Sequence, residues 1–137
     1  VPVIYSDDIV LQRMSCMNCN DDDVVVIISH TGRTKSQVEL AQLARENDAM
    51  VIALTTAGTP LAREATLAIT LDVPEDTDMY MPMVSRLAQL TVIDVLATGF
   101  TLRRGAKFRD NLKRVKEALK ESRFDKELLI KSDVSLK

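Results

Sequence analysis

Residues 23–47 constrain the fold more than any other part of the sequence. Asp23-Val24-Val25-Val26-Ile27-Ile28 is a short, β-branched apolar run, and Ser29-His30-Thr31-Gly32-Arg33-Thr34 a hydroxyl-rich turn; residues 35–47 then form an amphipathic run. A buried strand, a glycine turn and a helix in direct succession form the repeating unit of a parallel α/β sheet. The same order sets up a chemistry. A helix amino terminus carries free N–H groups and the positive end of the helix dipole, and both favour a phosphate. Ser29, Thr31 and Thr34 can add hydroxyl donors and Arg33 a formal charge, so the turn is an expected anion site for a phosphorylated small molecule.

The rest of the chain repeats this grammar. Residues 1–5 are short, apolar and β-rich, and read as a first strand. Ser6, Asp7 and Asp8 offer capping oxygens for a helix to about Met17, followed by a polar turn at 18–22. Thr34 with Gln37 fits a capping box, and Val38, Ala41 and Ala44 are the expected core side of the next helix, with Leu40 and Leu43 beside them. Residues 50–54 read as a strand that runs into a second hydroxyl-rich loop, Thr55-Thr56-Ala57-Gly58-Thr59-Pro60. There Thr59 is a natural cap and Pro60 suits the first helical position, where no N–H is needed. A helix to about Thr66 and a strand at 67–73 follow, then an acidic turn at 74–78 that disfavours a nearby phosphate.

From Met83 the pattern is helical for about five turns, ending near Gly105, and apolar on most sides. Such a helix is expected to be buried in the protein or against a partner subunit. Phe108, Leu112, Val115 and Leu119 mark one face of a last helix whose other faces carry Lys107, Arg109, Lys113, Arg114, Lys116 and Lys120. Four strands alternating with helices predict an α/β domain with a parallel sheet. Ligands of such sheets sit at the carboxyl ends of the strands, where both hydroxyl-rich loops fall.

Composition removes several alternatives. The 137 residues suit one hydrophobic core, and 46% apolar residues are enough to build it. A net charge of −2 is not that of a nucleic-acid-binding surface. No apolar run approaches the roughly 20 residues of a membrane span, and no basic-then-apolar leader opens the sequence, so a cytoplasmic setting is expected. Cys16 and Cys19 form a lone C-x-x-C. With His30 the single histidine, four zinc ligands are not at hand, so the pair reads as two ordinary thiols in a reducing compartment. The turn at 29–34 is neither G-x-x-x-x-G-K-[ST] nor G-x-G-x-x-G, so nucleotide fingerprints are absent and no cofactor or metal is expected. Met79, Met81 and Met83 around Tyr80 read as packing or interface residues, and Arg103-Arg104 to Lys107 as a solvated helix-end cluster. His30 has no orienting partner nearby in sequence that would make it a general base. Ser85-Arg86, opening the long helix, could meet a ligand carboxylate or phosphate.

The residues 23–34 resemble the second signature loop of sugar isomerase (SIS) domains. Residues 50–62, and Ser85-Arg86-Leu87-Ala88-Gln89-Leu90 with Asp94, are similar to the same family. From Asp23 to Lys126 the chain looks like the effector domain of RpiR-type transcription factors. The resemblance implies a flavodoxin-like, three-layer domain over residues 1–126 with a tail at 127–137. It implies a phosphosugar site built on Ser29, His30, Thr31, Gly32, Arg33 and Thr34, with Ser29, Thr31 and Thr34 holding the phosphate and Ser85 and Arg86 near the ligand or a second subunit. It further implies homodimerisation, DNA contact only through a separate helix-turn-helix domain, and a phosphorylated sugar acid as effector. Members that govern hexose and Entner–Doudoroff metabolism respond to 2-keto-3-deoxy-6-phosphogluconate.

SIS domains carry a central strand and a Gly-x-Gly-x-Ser-like loop ahead of the position of Val1, so the chain is expected to lack them. Residues 1 to about 22 are then expected to be displaced, to pair directly with strand 23–28, or to exchange between subunits, since exposed strand edges invite pairing. Weaker ligand affinity is expected for the same reason. Three functions remain: a non-catalytic sensor, a phosphosugar isomerase, and a ligand-free dimerisation module. An isomerase needs a base beside the sugar, and Glu39, Glu46 and Glu64 lie on helices leading away from the loop, which favours the sensor.

Overall fold

A computed structural model describes residues 3–76 and 83–121. The chain divides into two compact units, Val1–Val92 and Ile93–Lys137. In the first, the order is α1 (Ile9–Met17), β1 (Val24–Ser29), α2 (Lys35–Glu46), β2 (Met50–Thr55), α3 (Pro60–Glu64) and β3 (Leu67–Thr70). Helix α4 (Val84–Arg103) crosses into the second unit, which continues with α5 (Gly105–Glu121).

The strands form a parallel sheet in the order β1-β2-β3, with Ser29 opposite Thr55 and Thr55 opposite Thr70. Both loops therefore leave neighbouring strands at the same edge of the sheet, as the parallel α/β reading requires. Laterally paired residues share a face. Val25, Ile27, Val51 and Ala53 form the face covered by α2 and α3, where Leu40, Ala41, Ala44 and Leu61 complete a closed core. Val51, Ala53 and Leu61 have no exposed surface at all. Helix α1 rests on α2, tied by an ion pair of Arg13 with Glu39 at 2.9 Å. The opposite sheet face carries Val24, Val26, Ile28, Met50 and Leu67, all well exposed.

Local chemistry explains the element boundaries. Asp8 caps α1, its carboxylate accepting from Val10 N and Leu11 N at 2.8 and 3.0 Å. Thr59 caps α3 and Pro60 takes its first position, as expected. Helix α3 stops at Glu64 because Ala65 is extended, and β3 is confined to four residues, starting where the sequence pattern suggests but ending three residues earlier. At the end of α4, Gly105 adopts φ +77°, which turns the chain into α5 without the strain a Cβ would bring. Phe100 and Phe108 then meet edge to face at 5.9 Å, and Arg104 lies over both rings.

Two local expectations need correction. The strand expected at residues 1–5 is not formed: Val3, Ile4 and Tyr5 are irregular and more than 80% exposed. Nor does this segment pair with β1, whose ladder runs to β2. A strand exists only through its neighbour's hydrogen bonds, and no neighbour is offered here. The capping box is also absent. Thr34 is the N-cap of α2 by backbone geometry, but its side chain makes no capping bond, and Oε1 of Gln37 is buried without a partner. The expected packing segment at Met79–Met81 and the tail at 127–137 lie outside the described residues.

Candidate functional site

Ser29 ends β1 in register with Thr55, and Thr34 is the N-cap of α2, so residues 30–34 must turn the chain from sheet to helix. Gly32 makes that turn possible. It is buried, sits at φ +57°, and a Cβ there would fall 2.5 Å from Oγ1 of Thr55 and 2.7 Å from Cβ of Thr59. The left-handed conformation and the crowding both demand glycine.

The crowding arises because the second loop is sewn to the first. The carbonyl of His30 accepts from Thr56 N at 3.1 Å and from Thr56 Oγ1 at 2.8 Å, with Oγ1 of Thr55 at 3.5 Å. The carbonyl of Gly32 accepts from Leu61 N at 3.1 Å. Thr59 Oγ1 donates to the carbonyl of Thr56 at 2.9 Å and accepts from Ala62 N at 3.3 Å. The amino end of α3 is thus filled by the protein itself: Pro60 has no N–H, and Leu61, Ala62 and Arg63 N–H groups all have partners. The second hydroxyl-rich loop supports the first and offers no free helix terminus of its own.

The first loop is the reverse. Among the described residues, the hydroxyls of Ser29, Thr31 and Thr34, the imidazole of His30 and the guanidinium of Arg33 make no hydrogen bond or ion pair within the protein. Ser29, His30 and Thr31 are half-buried, while Arg33 and Thr34 are exposed. Helix α2 carries no acidic residue in its first turn, so nothing cancels its dipole there. The arrangement is a hydroxyl-lined, positively polarised cup able to hold a phosphate oxygen shell.

No hydrogen bond links Ser85 or Arg86 to residues 29–34. Ser85 is buried, and its hydroxyl donates to the carboxylate of Glu75. That carboxylate also accepts from the N–H groups of Met83, Val84 and Ser85 at 2.6, 2.7 and 3.3 Å, closing the amino end of α4. The Ser85 hydroxyl, followed by the backbone donors, holds the Glu75 carboxyl down to about 2. Arg86 is exposed at the surface. The sequence gives little warning of this cap, because Glu75 lies ten positions before Ser85, far outside any capping box.

Glu39 and Glu46 lie on α2 and Glu64 on α3, and none bonds His30. No group of three metal-ligating side chains occurs among the described residues. Cys16 and Cys19 are free thiols. Burial, then the neighbouring Cys19 sulfur, raises the Cys16 pKa, and burial followed by Asp23 raises that of Cys19. Both stay protonated at neutral pH and are poor nucleophiles. No described helix is long and apolar enough to cross a membrane.

The HTH-type transcriptional regulator HexR of Escherichia coli K12 is 92% identical over 133 residues, which are 97% of this chain and 46% of HexR. HexR of Pseudomonas aeruginosa is 56% identical over 117 residues, 85% of this chain and 41% of that protein. The bifunctional protein glk of Burkholderia pseudomallei is 36% identical over 106 residues, 77% of this chain and 16% of that protein. The chain therefore spans about half the length of the HexR relatives it matches. Among solved structures, the Vibrio vulnificus NanR protein complexed with ManNAc-6P has the same fold. It gives a TM-score of 0.78 over 89% of this chain and 46% of that one, at 24% identity. The family model for the SIS domain matches residues 1–99, and the chain belongs to the SIS domain family.

Proposed function

We propose that this chain is the ligand-sensing part of a HexR-like transcriptional repressor of hexose and Entner–Doudoroff metabolism, acting in the cytoplasm. The cup at Ser29, His30, Thr31, Gly32, Arg33 and Thr34 binds the phosphate of a phosphorylated sugar acid such as 2-keto-3-deoxy-6-phosphogluconate. One observation carries this reading: three hydroxyls without partners among the described residues stand at the amino end of α2, whose first turn holds no acidic residue. The near identity to the E. coli regulator and the phosphosugar in the NanR complex support it.

The role is sensing rather than catalysis. A proton shuttle between adjacent sugar carbons needs a positioned base, and His30 has no orienting partner. Binding supplies free energy by offering donors whose alternative is water, and that energy shifts the equilibrium of whatever state presents the cup best. Residues 1–126 act as the sensing and homodimerising domain and 127–137 as a tail, with operator DNA contacted by a helix-turn-helix domain outside this stretch.

Calorimetric and thermal-shift titration with 2-keto-3-deoxy-6-phosphogluconate, 6-phosphogluconate and glucose 6-phosphate tests the reading, with Ser29→Ala as the paired variant. The expected result is a rise in melting temperature for a phosphorylated acid, since a ligand selective for the native state stabilises it by mass action. Ser29→Ala is expected to weaken binding about tenfold, the effect of losing one hydrogen bond to a charged group. No response to any phosphosugar, with dimerisation intact, would instead favour a ligand-free dimerisation module.

A further inference from the structure

One polar atom beneath the cup is left unserved by the fold. Side chains alternate along a strand, so Ser29 follows Val25 and Ile27 on the covered face of β1, and Thr55 follows Val51 and Ala53 on that of β2. Helix α2 lays Ala41 and Ala44, neither with any exposed surface, along this face. Gln37 precedes them on the same stripe of the helix, at the amino end. Helical side chains lean toward the amino terminus, so Gln37 reaches back over the turn of Thr34, to the level of the cup. Its Oε1 is buried and has no hydrogen-bond partner among the described residues. Neither the hydroxyls of Ser29, Thr31 and Thr34 nor the Thr34 N–H, the donor a capping box would supply, serves it. A buried amide oxygen that accepts nothing is costly, and folded proteins keep few of them.

We propose that Gln37 is a specificity-determining residue, its Oε1 accepting a hydrogen bond from a hydroxyl on the carbon chain of the bound phosphosugar acid. This assignment rests on the phosphate-binding reading and deepens it, by naming what is recognised beyond the phosphate. A phosphate dianion has acceptor oxygens and no proton to give, so it cannot be the group that completes Gln37. A hydroxyl on the phosphorylated carbon chain has that proton. Discrimination follows from the unpaired oxygen itself. A ligand without the hydroxyl leaves Oε1 orphaned when it binds, whereas the hydroxylated ligand relieves it. In the free chain the same oxygen is a standing cost to stability. Stability and recognition therefore pull in opposite directions at this one side chain.

The test uses the full chain, the variants Gln37→Met and Gln37→Leu, and 2-keto-3-deoxy-6-phosphogluconate beside its analogues lacking the C4 or the C5 hydroxyl. Met is close to Gln in length and carries only a weak acceptor. Without ligand, Gln37→Met is expected to melt about 3 °C or more above the parent, because the unpaired buried oxygen is gone. Its Kd for the full ligand is expected to rise about tenfold, and one of the two analogues is expected to bind the parent about tenfold more weakly than the full ligand does. In Gln37→Met, that analogue and the full ligand are expected to bind within about twofold of each other, which is the coupling a direct contact requires. A lower melting temperature in both variants would show that Gln37 is already partnered and would overturn the proposal. So would analogues that both bind the parent like the full ligand, or a discrimination that survives in both variants. If Gln37→Met does not fold, Gln37→Leu decides the same comparisons. A parent that binds none of the three ligands refutes the phosphosugar reading together with this one, and a parent that binds all three equally refutes only the role of Gln37.

Discussion

Gly32→Ala is the sharpest test of how the two loops are joined. Placing a non-glycine residue at φ +57° costs about 1–2 kcal/mol from the Cβ–carbonyl clash of the left-handed region. The new methyl would also sit 2.5 Å from Thr55 Oγ1 and 2.7 Å from Thr59 Cβ, well inside van der Waals contact. Both neighbours are buried and hydrogen-bonded, so relief requires moving backbone, and overpacking of that kind costs roughly 1–3 kcal/mol. The total is about 2–5 kcal/mol, a large part of the stability of a domain this size. Gly58→Ala isolates the steric part. Gly58 is also left-handed, at φ +71°, but a Cβ there would meet nothing within 4 Å. It should lose only the backbone increment. Thermal unfolding followed by circular dichroism is expected to put Gly32→Ala below Gly58→Ala by several degrees, at about 3–5 °C per kcal/mol for a chain of this length. Melting temperatures for the two variants within about 2 °C of each other would refute the interlock.

Other perturbations follow from the same geometry. Glu75 has its carboxyl lowered from 4.5 to about 2, so its contribution is complete above pH 4.5 and disappears as the pH falls toward 2. Glu75→Gln is expected to flatten the acid limb of a urea-midpoint against pH curve in that window and to speed amide exchange at residues 83–85; an unchanged limb would contradict the cap. Leu61→Ala empties a position with no exposed surface and should cost about 2–5 kcal/mol in urea unfolding. Gly99→Ala, inside α4 with open space around its Cβ, should raise stability by up to about 1 kcal/mol, and a loss there would show that the helix is not formed as described.

Most of the framework is written locally in the sequence. The run 24–28 and the run 50–54 announce strands because both are apolar and β-branched, and Thr59-Pro60 announces a helix start because cap and first-turn chemistry coincide. Most of the failures depend on partners distant in sequence. Residues 3–5 look like a strand by composition, but composition does not supply the neighbour that a strand requires. Thr34 and Gln37 have capping-box spacing, yet the spacing alone did not make the capping bond. The second loop looked like a twin of the first, and only the bonds from Thr56 and Leu61 to His30 and Gly32 reveal it as scaffold. Glu75 and Ser85 meet across ten positions, a distance that no local motif spans.

The exposed face of the sheet has a thermodynamic consequence for anyone handling the chain. Val24, Val26, Ile28, Met50 and Leu67 stand in one plane of water-facing hydrocarbon, beside the outer edge of β1, which no strand among the described residues pairs. Covering one such side chain completely is worth about 1.5–3 kcal/mol. A second copy that covered this face would add its burial to the free energy of folding, and the melting temperature would then depend on protein concentration. A dilution series belongs beside every stability measurement made on it.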